Sequence, residues 1–205
     1  MASGMHITAD HWLNVARRCP SPYSNERPAH EISLTVVHNI SLPPGCFGGP
    51  HIDRLFTGSL RADEHPYFET IAGMEVSAHL LIRRDGEIVQ YVPFDRRAWH
   101  AGRSSWRGRE NCNDFSVGIE LEGCDDQPFE PVQYERLAEA LAALWLTYPA
   151  ARDALAGHSD IAPGRKTDPG PCFDWQHLEG LLAEGRTNNQ EETGSVQAAP
   201  GRAEK

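Results

Sequence analysis

Residues 76–92 alternate in polarity about a single Asp-Gly pair. Val76, Ala78, Leu80 and Ile82 fall on one face of an extended segment, and Ser77, His79 and Leu81 on the other. Asp85-Gly86 follows, and then a second strand-like run, Glu87 to Val92. Asp-Gly between two such runs predicts a β-hairpin, because the tight turn needs positive φ. The fold must therefore accommodate an antiparallel pair. Two further runs, Leu34 to His38 and Ser116 to Leu121, have strand character. Pro131 then opens a helix where its missing N–H costs nothing. Leu137, Leu141, Leu144, Trp145 and Tyr148 form one apolar stripe on it, and Pro149 ends it. A shorter helix is predicted from about Asp174 to Glu184, with Leu178, Leu181 and Leu182 inward. Strands mixed with helices around an antiparallel hairpin predict a mixed sheet carrying helices, in the α/β or α+β range.

The bulk numbers bound the function. At 205 residues the chain is one domain's length, with ample material for a core. Its 19 basic and 29 acidic residues give a net charge of −10, which argues against a general nucleic-acid or anionic-membrane binder. The longest apolar run, Ala140 to Leu146, is far short of the roughly 20 residues that cross a bilayer. The N-terminus has no basic segment followed by an apolar one, so a secretory signal is not expected. Five scattered cysteines without a CxxC pair read as reduced thiols in a cytoplasm. Residues 185–205 hold one large aliphatic side chain, Val196, and no aromatic, so they are expected to form a disordered tail.

Two long segments rich in Gly and Pro, 41–50 and 157–171, have no periodicity. Long ordered loops are usually functional. One lies just after His38, and the other contains His158 and Asp168. Two histidines and a carboxylate are a typical ligand set for catalytic zinc, which keeps one position open. On spacing alone the signal is weak, because the chain has ten histidines. Lys166 lies two residues before Asp168, so in an extended segment both point the same way. A lysine there suits an oxyanion. Glu120 sits in the middle of an apolar strand, where an acid is costly unless it is paired or used as a base.

The segments VVHNISLPPGCFGG, SAHLLIRRDGEIVQYVPFDRRAWHAG, NDFSVGIELEG and GHSDIAPGRKTDPGPCFDW occur in this order. Together they closely resemble the cytoplasmic AmpD-type 1,6-anhydro-N-acetylmuramyl-L-alanine amidases. These are a branch of the zinc amidases related to T7-type lysozyme and the peptidoglycan recognition proteins. The resemblance covers roughly residues 12–178. It implies a central mixed β-sheet flanked by helices, with a single zinc in a surface groove. With the composition of the tail, the expected division is an amidase domain at 1–184 and a disordered tail at 185–205. The resemblance maps the Zn2+ ligands onto His38, His158 and Asp168, with Cys172 a minor alternative to Asp168, and the catalytic pair onto Glu120 and Lys166. The implied reaction is hydrolysis of the amide between 1,6-anhydro-N-acetylmuramic acid and L-alanine during peptidoglycan recycling. In many Gram-negative bacteria, loss of such an amidase induces a chromosomal β-lactamase.

Substrate contacts are expected at Asn39, His79, Trp99, Arg103 and Arg109. Residues 96–109 carry five arginines and no acid. A stem peptide is rich in carboxylates, which arginine grips with two N–H groups at once. Trp99 offers a face for the sugar, Asn39 follows a proposed ligand, and His79 lies on a strand that borders the site in the family. The implied partner is a small anhydro-muropeptide, with no nucleic acid, membrane or obligate protein partner. The main rivals are a non-catalytic peptidoglycan-binding module, which typically lacks one of the ligands, and an exported amidase acting on intact wall.

Overall fold

The computed structural model describes residues 4–152 and 154–194, with side chains described as far as Gly185. The strands are β1 (Arg17–Arg18), β2 (Ser24–Glu26), β3 (Leu34–Ile40), β4 (Leu80–Ile82), β5 (Ile88–Gln90), β6 (Arg96–Ala98), β7 (Ser105–Trp106), β8 (Arg109–Glu110), β9 (Ser116–Glu122) and β10 (Leu155–Gly157). The helices are α1 (His51–Phe56), α2 (Pro131–Thr147), α3 (His158–Ile161) and α4 (Trp175–Gly194). Six strands form one mixed sheet in the order β1-β5-β4-β9-β3-β10. Its hairpin is the expected one: β4 and β5 are antiparallel, and Gly86 takes φ 86° between them. The other pairs in this sheet are parallel. A central mixed sheet flanked by helices is thus the architecture.

Every residue of β9 is buried, so the sheet is covered on both faces. Val37, Val117, Ile119 and Leu121 pack with Leu137, Leu141 and Leu144 of α2 and with Leu178 of α4. The alternate residues face the other way, where Leu34 and Val36 pack with Ala101, Cys112 and Phe115. His38, Gly118 and Glu120 share that second face by the same alternation. α2 begins at Pro131 as expected, and Gln133 Oε1 accepts the Glu130 N–H at 3.0 Å to close its first turn.

α4 starts close to its expected position, with Asp174 Oδ1 accepting the His177 N–H at 2.9 Å. It continues to Gly194, past the expected stop at Glu184. The expected tail was defined by missing apolar residues, which govern burial. Continuing a helix from a docked turn needs only residues that do not break it, and no proline lies between Trp175 and Gly194. Residues 195–205 of the expected tail lie outside the described residues.

Candidate active site

β3 and β9 run parallel in a register that puts His38 beside Glu120. Leu81 of β4 flanks Glu120 on its other side. β10 pairs with β3 so that Gly157 lies beside Val37, and His158 follows at once as the first residue of α3. Parallel pairing therefore delivers both histidines to the same end of the sheet. The 157–171 loop folds back on itself, with the Ser159 N–H donating to the Asp168 carbonyl at 3.0 Å. His38, Glu120, His158, Lys166 and Asp168 line one groove of about 480 Å³.

Three atoms meet at the floor of the groove. His38 Nδ1 lies 2.9 Å from His158 Nδ1, and Asp168 Oδ2 lies 3.0 Å from each. His158 Nε2 is 3.1 Å from the Ala101 carbonyl, which can only accept. That nitrogen therefore carries a proton, which leaves Nδ1 as the atom that can offer a lone pair to a metal. Lone pairs and a carboxylate held this close repel one another unless a cation lies among them. Zinc bonds of about 2.0–2.1 Å in a tetrahedron give ligand spacings of about 3.3 Å, near those observed. Burial pushes His38 down to about 4, so its ring is neutral at pH 7 as a ligand must be. The group His38, His158 and Asp168 can hold one metal ion, and its donor set fits zinc.

Glu120 stands beside this triangle. Its Oε2 is buried and has no hydrogen-bond partner. Burial, with Asp168 adding to it, pushes the carboxyl well above the usual range, while the Lys166 ammonium opposes the shift. Lys166 is exposed at the groove, its backbone N–H bound to the Ala162 carbonyl at 3.1 Å. Asn39 and Trp99 also line the groove. Both amide hydrogens of Asn39 are used within the protein, on Asp125 Oδ1 at 2.7 Å and on the Pro169 carbonyl at 3.0 Å. The residue thus ties the Asp168 loop to the end of β3. Trp99 is pinned by its edge, with Nε1 donating to Asn25 Oδ1 at 2.7 Å.

Three expected contact residues are not brought to the groove. His79 is fully buried. Its Nδ1 accepts the Gly118 N–H at 3.0 Å, and its Nε2 lies 3.0 Å from both the Arg96 carbonyl and Arg27 Nη2. Alternation gave its face of the sheet but not its depth, and His100 packs over it with ring centroids 5.9 Å apart. Arg109 donates to both oxygens of Glu31, at 2.8 and 2.9 Å, and lies over the Phe115 ring. Arg103 lines a separate depression with Glu110 and Asn111. Among the residues that line the groove the basic segment contributes Trp99 and His100 and none of its arginines. Arg165 Nη2, a groove residue not singled out as a candidate from the sequence, donates to the Ala101 and Arg103 carbonyls at 2.6 and 2.7 Å. His100 also lines the groove, with Nδ1 2.9 Å from His38 Nε2. It lies 62 residues along the chain from His38, and no local pattern marks it.

A mixed sheet thus presents, at one groove, two histidines and an aspartate that can hold a metal ion and a buried glutamate that can move a proton, the residue set of a hydrolase. Residues 28–171 match the family model for N-acetylmuramoyl-L-alanine amidases, and the chain belongs to that family of enzymes. Within it, the chain is 61% identical over 173 residues to the 1,6-anhydro-N-acetylmuramyl-L-alanine amidase AmpD of Salmonella typhimurium (strain SL1344), covering 84% of this chain and 92% of that protein. It is 59% identical over 177 residues to AmpD of Escherichia coli (strain K12), covering 86% and 97%. The crystal structure of a selenomethionine AmpD derivative matches with a TM-score of 0.84 at 59% identity, over 86% of this chain and 99% of that one. The E. coli amidase AmiD, solved in complex with the substrate anhydro-N-acetylmuramic acid-L-Ala-D-γ-Glu-L-Lys, matches with a TM-score of 0.54 at 29% identity, over 87% and 65%.

Proposed function

We propose that the chain is a zinc-dependent hydrolase. It cleaves the amide between the lactyl group of 1,6-anhydro-N-acetylmuramic acid and L-alanine, in cytoplasmic peptidoglycan recycling. The observation that carries this reading is the triangle of His38, His158 and Asp168 beside the partnerless Glu120 Oε2. The similarity to AmpD over nearly the whole of that protein supports the choice of substrate. The amidase unit is assigned to residues 1–184, with 185–205 outside it.

When bound at the triangle, zinc supplies Lewis acidity, polarising a carbonyl and making water a stronger acid. Glu120 Oε2 takes a proton from the attacking water and returns it to the leaving nitrogen of L-alanine. Water and amide thus become a lactyl carboxyl and a free amine. Lys166 holds its ammonium toward the oxygen on which negative charge develops. Trp99 offers its ring face as a wall for the sugar, and Asn39 holds the Asp168 loop against β3.

The test is incubation of zinc-loaded protein with anhydro-muramyl-tripeptide, with products read by mass. The expected result is free anhydro-N-acetylmuramic acid and tripeptide. Cleavage of intact sacculi with no cleavage of the anhydro-muropeptide would replace this reading with a wall amidase.

A further inference from the structure

We propose that His100 is a positioning residue that fixes the ring tautomer of His38, so that the protein itself presents a bare Nδ1 to the metal. The inference rests on the metal reading above and extends it to a residue outside the ligand set.

The argument starts at the far end of a chain of contacts. Ser116 Oγ lies 2.6 Å from the Cys112 carbonyl oxygen. Two oxygens at that distance need a proton between them, and only the hydroxyl has one to give. Ser116 Oγ is therefore an acceptor toward its other neighbour, His100 Nε2, at 3.2 Å. That makes His100 Nε2 the donor. Among the described contacts the two ring nitrogens meet Ser116 Oγ and His38 Nε2, with no carboxylate to hold a second proton, so the ring carries one. Its Nδ1 is bare and must accept from His38 Nε2 at 2.9 Å. His38 then carries its own proton on Nε2, and its Nδ1 is the lone pair turned to His158 and Asp168. The opposite polarity fails at once, because it would leave Ser116 Oγ and the Cys112 carbonyl as two acceptors in contact.

Two further observations show that the ring of His100 is held in place. Gly118, beneath it on β9, has no room for a side chain: a Cβ there would lie 2.4 Å from His100 Cγ. The backbone around the ring is fixed by one side chain, since Asn113 Oδ1 accepts both the His100 N–H at 3.1 Å and the Ala101 N–H at 2.8 Å. Ala101 is the residue whose carbonyl takes the His158 Nε2 proton. One short segment thus sets both ligand histidines, one through a ring and the other through a carbonyl.

Long-range 1H–15N NMR of the metal-free wild-type protein reads the tautomers directly. Both His38 and His100 are expected as the Nε2–H form, and an Nδ1–H pattern on either ring overturns the proposal. Zinc affinity, by competition with a chelator, is the second readout. His100→Phe, which fills the space without an acceptor, is expected to weaken zinc by about 10–100-fold. His100→Asn puts an oxygen where Nδ1 stood and is expected to recover most of that loss. Wild-type affinity in His100→Phe, or no recovery in His100→Asn, overturns the proposal. A wild-type protein that binds no zinc would instead overturn the metal reading, and this would show before any variant is made.

Discussion

The centre of the sheet and the arginine-rich segment at 96–109 are the two places where charge gathers near the groove, and the fold treats them in opposite ways. At the centre, Glu120 is carried on a fully buried strand and one of its oxygens has no partner. In the arginine segment, three of the five guanidinium groups are bound by the protein's own acids and carbonyls. Arg97 pairs with Asp114 at 2.6 Å, Arg109 with Glu31, and Arg96 reaches the Ser24 carbonyl. A charged group is available for chemistry where the fold leaves it without an internal partner. The density of charge along the sequence does not report that.

If this contrast is right, substitutions at the sheet centre are severe and those in the arginine segment are mild. The largest effect is expected for His38→Ala. It removes one corner of the triangle and should lose both bound zinc, measured by metal analysis, and turnover. Activity in the metal-stripped variant would break the contrast from its strong side.

Glu120→Gln is next. Removing a positioned general base should lower kcat by about 10²–10⁴-fold while zinc remains bound. The same variant has a second readout with the opposite sign. Burial raises the Glu120 pKa in the folded, metal-free protein, so the folded state holds this proton more tightly than the unfolded chain. The stabilisation from that proton is complete below the unfolded value of about 4.3 and is lost as pH rises through the raised folded pKa. Gln cannot ionise and escapes that loss. The melting temperature of metal-free Glu120→Gln should therefore rise relative to wild type as pH goes from 5 to 8. A gap that stays constant with pH would mean that the Glu120 carboxylate is not desolvated.

The same contrast explains which parts of the molecule were legible in the sequence. The hairpin at Asp85-Gly86, the start of α2 at Pro131 and its apolar stripe depend on local rules of backbone and burial, and the structure has them. His38, Glu120, His158, Asp168 and Lys166 were candidates from their settings, at a strand end, in mid-strand or in a glycine-rich loop, but that signal was weak and the family resemblance assigned their roles. The structure gathers all five at one groove. What could not be read is direction and depth. His79 lies on the face that alternation gave it, but it is fully buried, sealed beneath His100 of another segment. His100 itself has nothing local to mark it, and the role proposed for it comes from following its ring contacts through Ser116 Oγ to the Cys112 carbonyl. The arginines were legible as charge, but their acids lie elsewhere in the chain: Glu31 is 78 residues from Arg109.

Arg109→Ala is the smallest expected effect and the one that tests the mild side most directly. The guanidinium meets both Glu31 oxygens and lies 3.9 Å from the Phe115 ring centroid, but the pair is nearly half exposed, at 47% and 37%. An exposed ion pair contributes about 0–1 kcal/mol, and an exposed cation–ring contact about 0.5–1. The variant should therefore lose about 1 kcal/mol, a fall of about 2–4 °C in Tm for a chain of this size. The charge points at Glu31, so zinc affinity and KM for the anhydro-muropeptide should not change. A several-fold rise in KM at unchanged Tm would reverse the assignment. It would mean that the segment leaves Glu31 and turns Arg109 into the groove when substrate binds, and that internal pairing in the free protein does not exclude a charge from the site.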